Sequence, residues 1–214
     1  EYNGELTLQM AGSSPLKNPK SRKKESFPGT PDHVQSSPTI IRKGAGIMDS
    51  PSAYLNHDNT GLMVREFVSE LVIPRVRDDY YGSGESQFAV CVVLEAPDLE
   101  FEEAVLLEKA FCLPGFEVDP KYQVNATAKA RSHHRTGHSS GELVSLKPAL
   151  LRSGDCIWGG SASVDGIIVA VSGFKHYWDV QIAGQIAYEL AGRVMPAHLQ
   201  GIEQMRANRV AILS

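Results

Sequence analysis

The stretch Ser161-Ala162-Ser163-Val164-Asp165-Gly166-Ile167-Ile168-Val169-Ala170-Val171-Ser172-Gly173 decides the fold class. A type I′ turn needs positive φ at both central positions, which Gly meets freely and Asp tolerates. Cys156 to Val164 and Ile167 to Ser172 therefore read as two strands of one hairpin. Upstream, Phe88 to Leu94 is an unbroken apolar run closed by Pro97, the pattern of a buried strand. Residues 103–112 suit either a helix or a strand paired with that run. Leu113-Pro114-Gly115 makes a turn.

Helical spacing surrounds these strands. Val64, Phe67, Val68, Leu71, Val72 and Val76 predict a helix near 61–80, capped by Asn59 or Thr60 and ended by Gly82-Ser83-Gly84. Pro74 lies inside it, so a kink or an early end is expected there. A second helix runs from about Lys121 to Arg135, with Gly137 setting its end. Ile182, Ala183, Ile186, Ala187, Leu190, Ala191 and Val194 form one apolar stripe. Pro196 is expected to stop that helix, leaving a short amphipathic segment from Leu199 to Arg206. The order of elements gives an α+β fold, an antiparallel sheet covered by helices.

The first fifty residues are different. Six of the twelve prolines lie at or before Pro51, and Ser13 to Pro38 holds six serines and the basic run Lys20 to Lys24. Such a segment has too little apolar surface to offset its ordering entropy. The expected organisation is an extension at 1–56, a domain at 57–196 and a C-terminal helical tail at 197–214. Glu5 to Met10 alternates weakly, as an added edge strand would. Ser14-Pro15, Thr30-Pro31 and Ser37-Pro38 have the form of proline-directed phosphorylation sites.

Lys+Arg 21 against Asp+Glu 25 gives a net charge of -4, which excludes a wholesale nucleic-acid-binding surface. No apolar run is long enough for a spanning helix. Cys91, Cys112 and Cys156 form no CxxC pair, so they read as reduced, mostly buried thiols of a cytoplasmic protein.

His133, His134 and His138 stand together among Lys129, Arg131 and Arg135. Imidazole ligates haem iron or a metal, and guanidinium groups bind carboxylates bidentately. The bland alternative is a polar helix end whose histidines favour the C-terminal dipole. No HExxH or GxSxG motif supports a zinc or serine hydrolase, and no catalytic residue is assigned. Gly159 and Gly160 before one strand, and Ser172 and Gly173 after the other, permit close backbone approach to a ligand or a neighbouring segment. Trp158 shares the first of these glycine stretches. Tyr177 and Trp178 either line a pocket or staple the last helix to the sheet, and Asp179 is placed to cap it.

The order Gly159-Gly160, Asp165-Gly166, Val169 to Gly173, Asp179 and Ala183 resembles the C-terminal signature of the GlcG/HbpS-like superfamily. Leu113-Pro114-Gly115, Lys129, Arg131 and the string Arg135 to Ser140 are most similar to its uncharacterised-protein-family branch. The resemblance covers about residues 60–195. It implies a profilin-like fold with a five-stranded antiparallel sheet, favours the strand reading of 103–112, and implies homo-oligomers. Some members bind or degrade haem, and one branch has partner-protein roles. The long N-terminal extension, an extended 140–155 loop and the bulk at Tyr177-Trp178 depart from the bacterial pattern.

Two expectations follow. The first is a haem- or small-anion-binding protein using the groove between the 121–138 helix and the glycine-rich hairpin. His133, His134 and His138 would then meet iron or propionates, and Arg131 and Arg135 would supply counter-charge. The second is a non-catalytic oligomeric scaffold binding a protein partner through its extension and surface.

Overall fold

The computed structural model describes residues 50–82 and 84–213. The alternating segment Glu5 to Met10, the basic run and the three Ser/Thr-Pro pairs lie outside them. The fold is mixed α+β, with one four-stranded antiparallel sheet flanked by helices. The strands are β1 (Gln87–Leu94), β2 (Val105–Cys112), β3 (Ser161–Val164) and β4 (Ile167–Ser172), in the order β2-β1-β4-β3. Among the described residues there are four strands, against the five that the resemblance implies.

The hairpin forms as expected, with Asp165 at φ 49° and Gly166 at φ 79°. Its first strand is shorter than expected, because 156–160 carries no ladder and only Ser161–Val164 pairs with β4. The ambiguous segment is a strand from Val105, preceded by the single helical turn α3 (Phe101–Ala104). Glu108 and Lys109 project from an otherwise half-buried strand, which is why periodicity alone left it undecided.

β1 and β4 are buried on both faces, as their continuous apolar runs require. Ala89 pairs with Ser172 and Cys91 with Ala170, so four small side chains share one face. α4 (Pro120–Thr136) packs there through Ala126 and Ala130, with Thr127 reaching Cys91. Small residues on both partners bring the helix close to the sheet. The opposite face carries Phe88, Val90, Val169 and Val171. It is covered by α6 (His176–Leu213) and by α1 (His57–Phe67), which packs on α6. The stripe from Ile182 to Val194 is buried in this core.

Several boundaries differ from the sequence expectation. α1 is capped by Asn56, whose side chain accepts from the Asn59 amide while Asn59 answers on the Asn56 amide. That reciprocal pair starts the helix earlier than Asn59 or Thr60 would. Pro74 does not end it at once. The preceding turn, Val68–Val72, is widened to π form before α2 (Ile73–Arg77), so the chain absorbs the proline's missing donor there. Nor does Pro196 stop the last helix. Val194 and His198 are buried on either side of it, and His198 meets the Tyr54 ring edge-on at 6.0 Å. Packing on both flanks outweighs the roughly 3 kcal/mol that an internal proline costs. A further helix, α5 (Ser140–Leu146), fills what had read as a loop.

The folded body reaches back at least to Ser50 rather than to 57. Pro51 and Ser52 are buried in a short 3-10 turn, Ser50 Oγ donates to the Asp165 carbonyl at 2.7 Å, and Leu55 joins the core. Leu55→Ala is therefore expected to lower unfolding free energy by about 2 kcal/mol through transfer and cavity costs. Urea denaturation measures this. A variant as stable as the parent would place the segment outside the cooperative fold.

Candidate functional site

Tyr122, Asn125 and Lys129 lie three and four residues apart on α4, hence on one face of the helix. That face meets the C-terminal end of β4 and the start of α6. Between them opens a cleft of about 600 Å³, whose lining includes Glu85, Trp158, Ser172, Gly173, Lys175 and His176. Trp158 and Tyr177 stand at its rim, 60% and 50% exposed. Tyr122 donates to Glu85 at 2.9 Å.

The floor is an ion pair. Lys129 Nζ lies 2.8 Å from Asp179 Oδ2 and 2.8 Å from the Val171 carbonyl, and the two side chains are 1% and 3% exposed. Asp179 Oδ1 accepts from the Phe174 amide at 3.0 Å, so the carboxylate also caps the start of α6. Burial pushes the Asp179 carboxyl up to about 6, against the opposing pull of Lys129 and the Phe174 amide. Gly160, at φ 146°, makes room for this pair. A Cβ there would stand 2.6 Å from Lys129 Nζ, 2.6 Å from the Val171 oxygen and 2.9 Å from Asp179 Cβ.

The histidines do not converge. His133 is buried, its Nδ1 3.1 Å from Ser161 Oγ, and burial pushes the imidazole down to about 4. Ser161 in turn forms a reciprocal pair with Ser140. The Ser140 amide donates to Ser161 Oγ at 2.7 Å, and the Ser161 amide donates to Ser140 Oγ at 3.0 Å. The His133–Ser161–Ser140 set thus ties α4, β3 and α5 together. His134 turns the other way, edge-on to Phe101 at 5.9 Å. His138, beyond the left-handed cap at Gly137, sits between Glu142 and Lys147.

The guanidinium groups already have partners. Arg131 pairs with Glu102 and lies over the Phe101 ring, and Arg135 bonds Asp155 at 2.5 Å and the Leu150 carbonyl. The expected set His133, His134, His138, Arg131 and Arg135 therefore does not form one haem pocket. Neighbours on a helix point about 100° apart, and the cap carries His138 off the helix. Among the described residues, no group of three or more His, Cys, Asp or Glu side chains could hold a metal ion.

The expected glycine and serine positions fare differently. Ser172 and Gly173 line the cleft, and Gly160 abuts its floor. Gly159 packs on Gly141 instead, its Cβ position 3.3 Å from that Cα. Tyr177 faces the cleft, whereas Trp178 staples α6 against Tyr80 and Tyr81. Glu85, Asn125, Tyr122, Lys175 and His176 were not singled out as site residues from sequence. The spacing of Tyr122, Asn125 and Lys129 on one helix face was the signal available.

The opposite shifts of His133 and Asp179 set a pH signature. The folded His133 value lies below the ordinary 6.5, so the stability it contributes is present above 6.5 and is lost as pH falls toward about 4. The folded Asp179 value lies above the ordinary 3.8, so its contribution is present below 3.8 and is lost as pH rises through about 6. Between pH 4 and 6 the two offset. The summed contribution of these two groups is expected to be nearly flat there. His133→Gln should gain stability on acidification and Asp179→Asn should lose it, each by about 1 kcal/mol per pH unit. Urea midpoints at pH 4, 5 and 6 test this, and parallel profiles in all three proteins would contradict it.

No protein-family model matches the chain, and no curated protein matches it. Among solved structures, the crystal structure of Ybr137w protein is similar, with a TM-score of 0.42 and 16% sequence identity. The match covers 64% of this chain and 76% of that chain. Among the described residues, no helix is long and apolar enough to cross a membrane.

Proposed function

We propose that this chain is a haem- or small-anion-binding protein of the GlcG/HbpS-like type. Its ligand is a planar molecule carrying a carboxylate, and the cleft over Lys129 and Asp179 receives it. The observation that carries the reading is an ammonium group at the floor of a cleft rimmed by exposed Trp158 and Tyr177. Aromatic side chains offer flat faces to a planar body, and a partly desolvated ammonium bonds an anion strongly. A buried ion pair is weak support for stability, since an apolar pair of similar volume often does as well, so its position facing a cleft favours a role in binding. On the cleft wall, the imidazole of His176 is the side chain that would meet haem iron.

The same reading carries the finer family features, a cytoplasmic homo-oligomer and a profilin-like five-stranded sheet.

Titration with haemin and with benzoate, followed by the Soret band and by tryptophan fluorescence, tests the proposal. Saturable binding near one equivalent per chain is expected for at least one of them. It should weaken tenfold or more in the double variant Lys129→Met/Asp179→Leu, and persist in His138→Ala and Arg135→Ala. Absence of saturable binding to either probe would leave the scaffold reading in its place.

A further inference from the structure

We infer that the cleft takes up its carboxylate together with one proton, the ligand replacing Asp179 as the counter-ion of Lys129. This rests on the anion-binding reading above and specifies how the site accepts its charge.

The Lys129 ammonium has three N–H donors. One meets the Val171 carbonyl and one meets Asp179 Oδ2, and no partner is assigned to the third among the described residues. An arriving carboxylate can accept that third donor. It then stands beside a second carboxylate in a place almost closed to water, with one positive charge between them. Two like charges so near one ammonium cannot both stay ionised at low cost.

The charge balance is simple. Before binding, the Lys129 ammonium faces the Asp179 carboxylate. Afterwards it faces the ligand carboxylate, Asp179 is a neutral acid, and one proton has come from solvent to Oδ2. Oδ1 keeps the Phe174 amide, and the new O–H is free to donate to the ligand.

The surroundings favour Asp179 as the acceptor of that proton. From α4 it faces Lys129; β4 and the 159–161 segment bring only backbone and uncharged side chains to it. Glu85, Tyr122, Lys175, His176 and Tyr177 stand around the cleft, and His176 is the competing proton acceptor. Burial already raises the Asp179 carboxyl to about 6, so a nearby anion has little further to push before it protonates at pH 7. Lys129 has a single donor left to offer, so a monocarboxylate on an aromatic body fits the class.

Calorimetric titration of the full chain with benzoate at pH 7, in two buffers of different ionisation enthalpy, tests this directly. Uptake of about one proton per benzoate is expected, with affinity falling about tenfold per pH unit between 7 and 8. Asp179→Asn should bind benzoate without proton uptake and without that pH dependence, while His176→Gln should still take up the proton. Benzoate binding by the parent with no proton uptake overturns this inference and leaves the anion-binding reading standing. Uptake kept in Asp179→Asn but lost in His176→Gln also overturns it. No benzoate binding at any pH between 5 and 8 overturns this inference, and failure of haemin to bind as well overturns the anion-binding reading with it. The parent measurement stands on its own if a variant fails to fold.

Discussion

Lys129→Met is expected to lower the unfolding free energy by about 3–5 kcal/mol, because it leaves Asp179 buried without its partner, so that the carboxyl must either hold an unpaired charge or take up a proton. The Phe174 amide remains as a donor, but a single neutral N–H does not replace an ammonium. The further change Asp179→Leu should restore much of the loss, since it removes the stranded carboxyl and fills the space with apolar volume. Urea denaturation of the parent, the single and the double variant gives the comparison. If the single variant were as stable as the parent, the pair would not be the buried bridge between α4 and α6 described above. If the double variant were no better than the single one, the loss would come from packing of the lysine stem rather than from charge.

Gly173→Ala is expected to be comparably severe, at about 3 kcal/mol or more, from strain at a backbone that cannot retreat. Gly173 sits at φ 153°, and a Cβ there would stand 2.5 Å from Phe88 Cβ and 2.7 Å from the Gln87 carbonyl. The crowding is against β1 itself, so no flexible side chain can give way. Gly137→Ala is the control. It has φ 69° with open space around it, and should cost only about 1 kcal/mol for the left-handed conformation. Thermal denaturation of the two variants separates crowding from conformation. Equal losses would show that the close approach to β1 contributes nothing.

The parts of the fold legible in sequence were those where one short-range rule decides. Asp165-Gly166 allows few conformations, the run Phe88 to Leu94 has nowhere to go but the core, and Gly137 ends α4 in the left-handed region. What was misread depends on partners distant in sequence. Pro196 stays helical because His198 packs on Tyr54, and α5 is fixed by the Ser140–Ser161 pair. The apolar stripe of α6 was visible, but whether it faces a sheet or a second copy depends on which strands lie under it.

The site divides in the same way. Lys129, Ser172, Gly173 and Asp179 are each legible in sequence as basic, small or capping residues. Nothing local says that Lys129 and Asp179, from helices on opposite sides of the sheet, would meet. The histidine cluster misled for the complementary reason. Closeness in sequence on a helix spreads side chains around the axis, so His133 and His134 diverge despite being adjacent.

Backbone amide shifts followed by NMR during a benzoate titration test the central claim most directly. The account predicts saturable shifts centred on Lys129, Gly160 and the segment from Gly173 to Tyr177, with the amides of Ala149 to Gly154 left in place. Shifts centred instead on Arg131 to His138 and the Arg135-bound loop, or no saturable shifts at all, would contradict it.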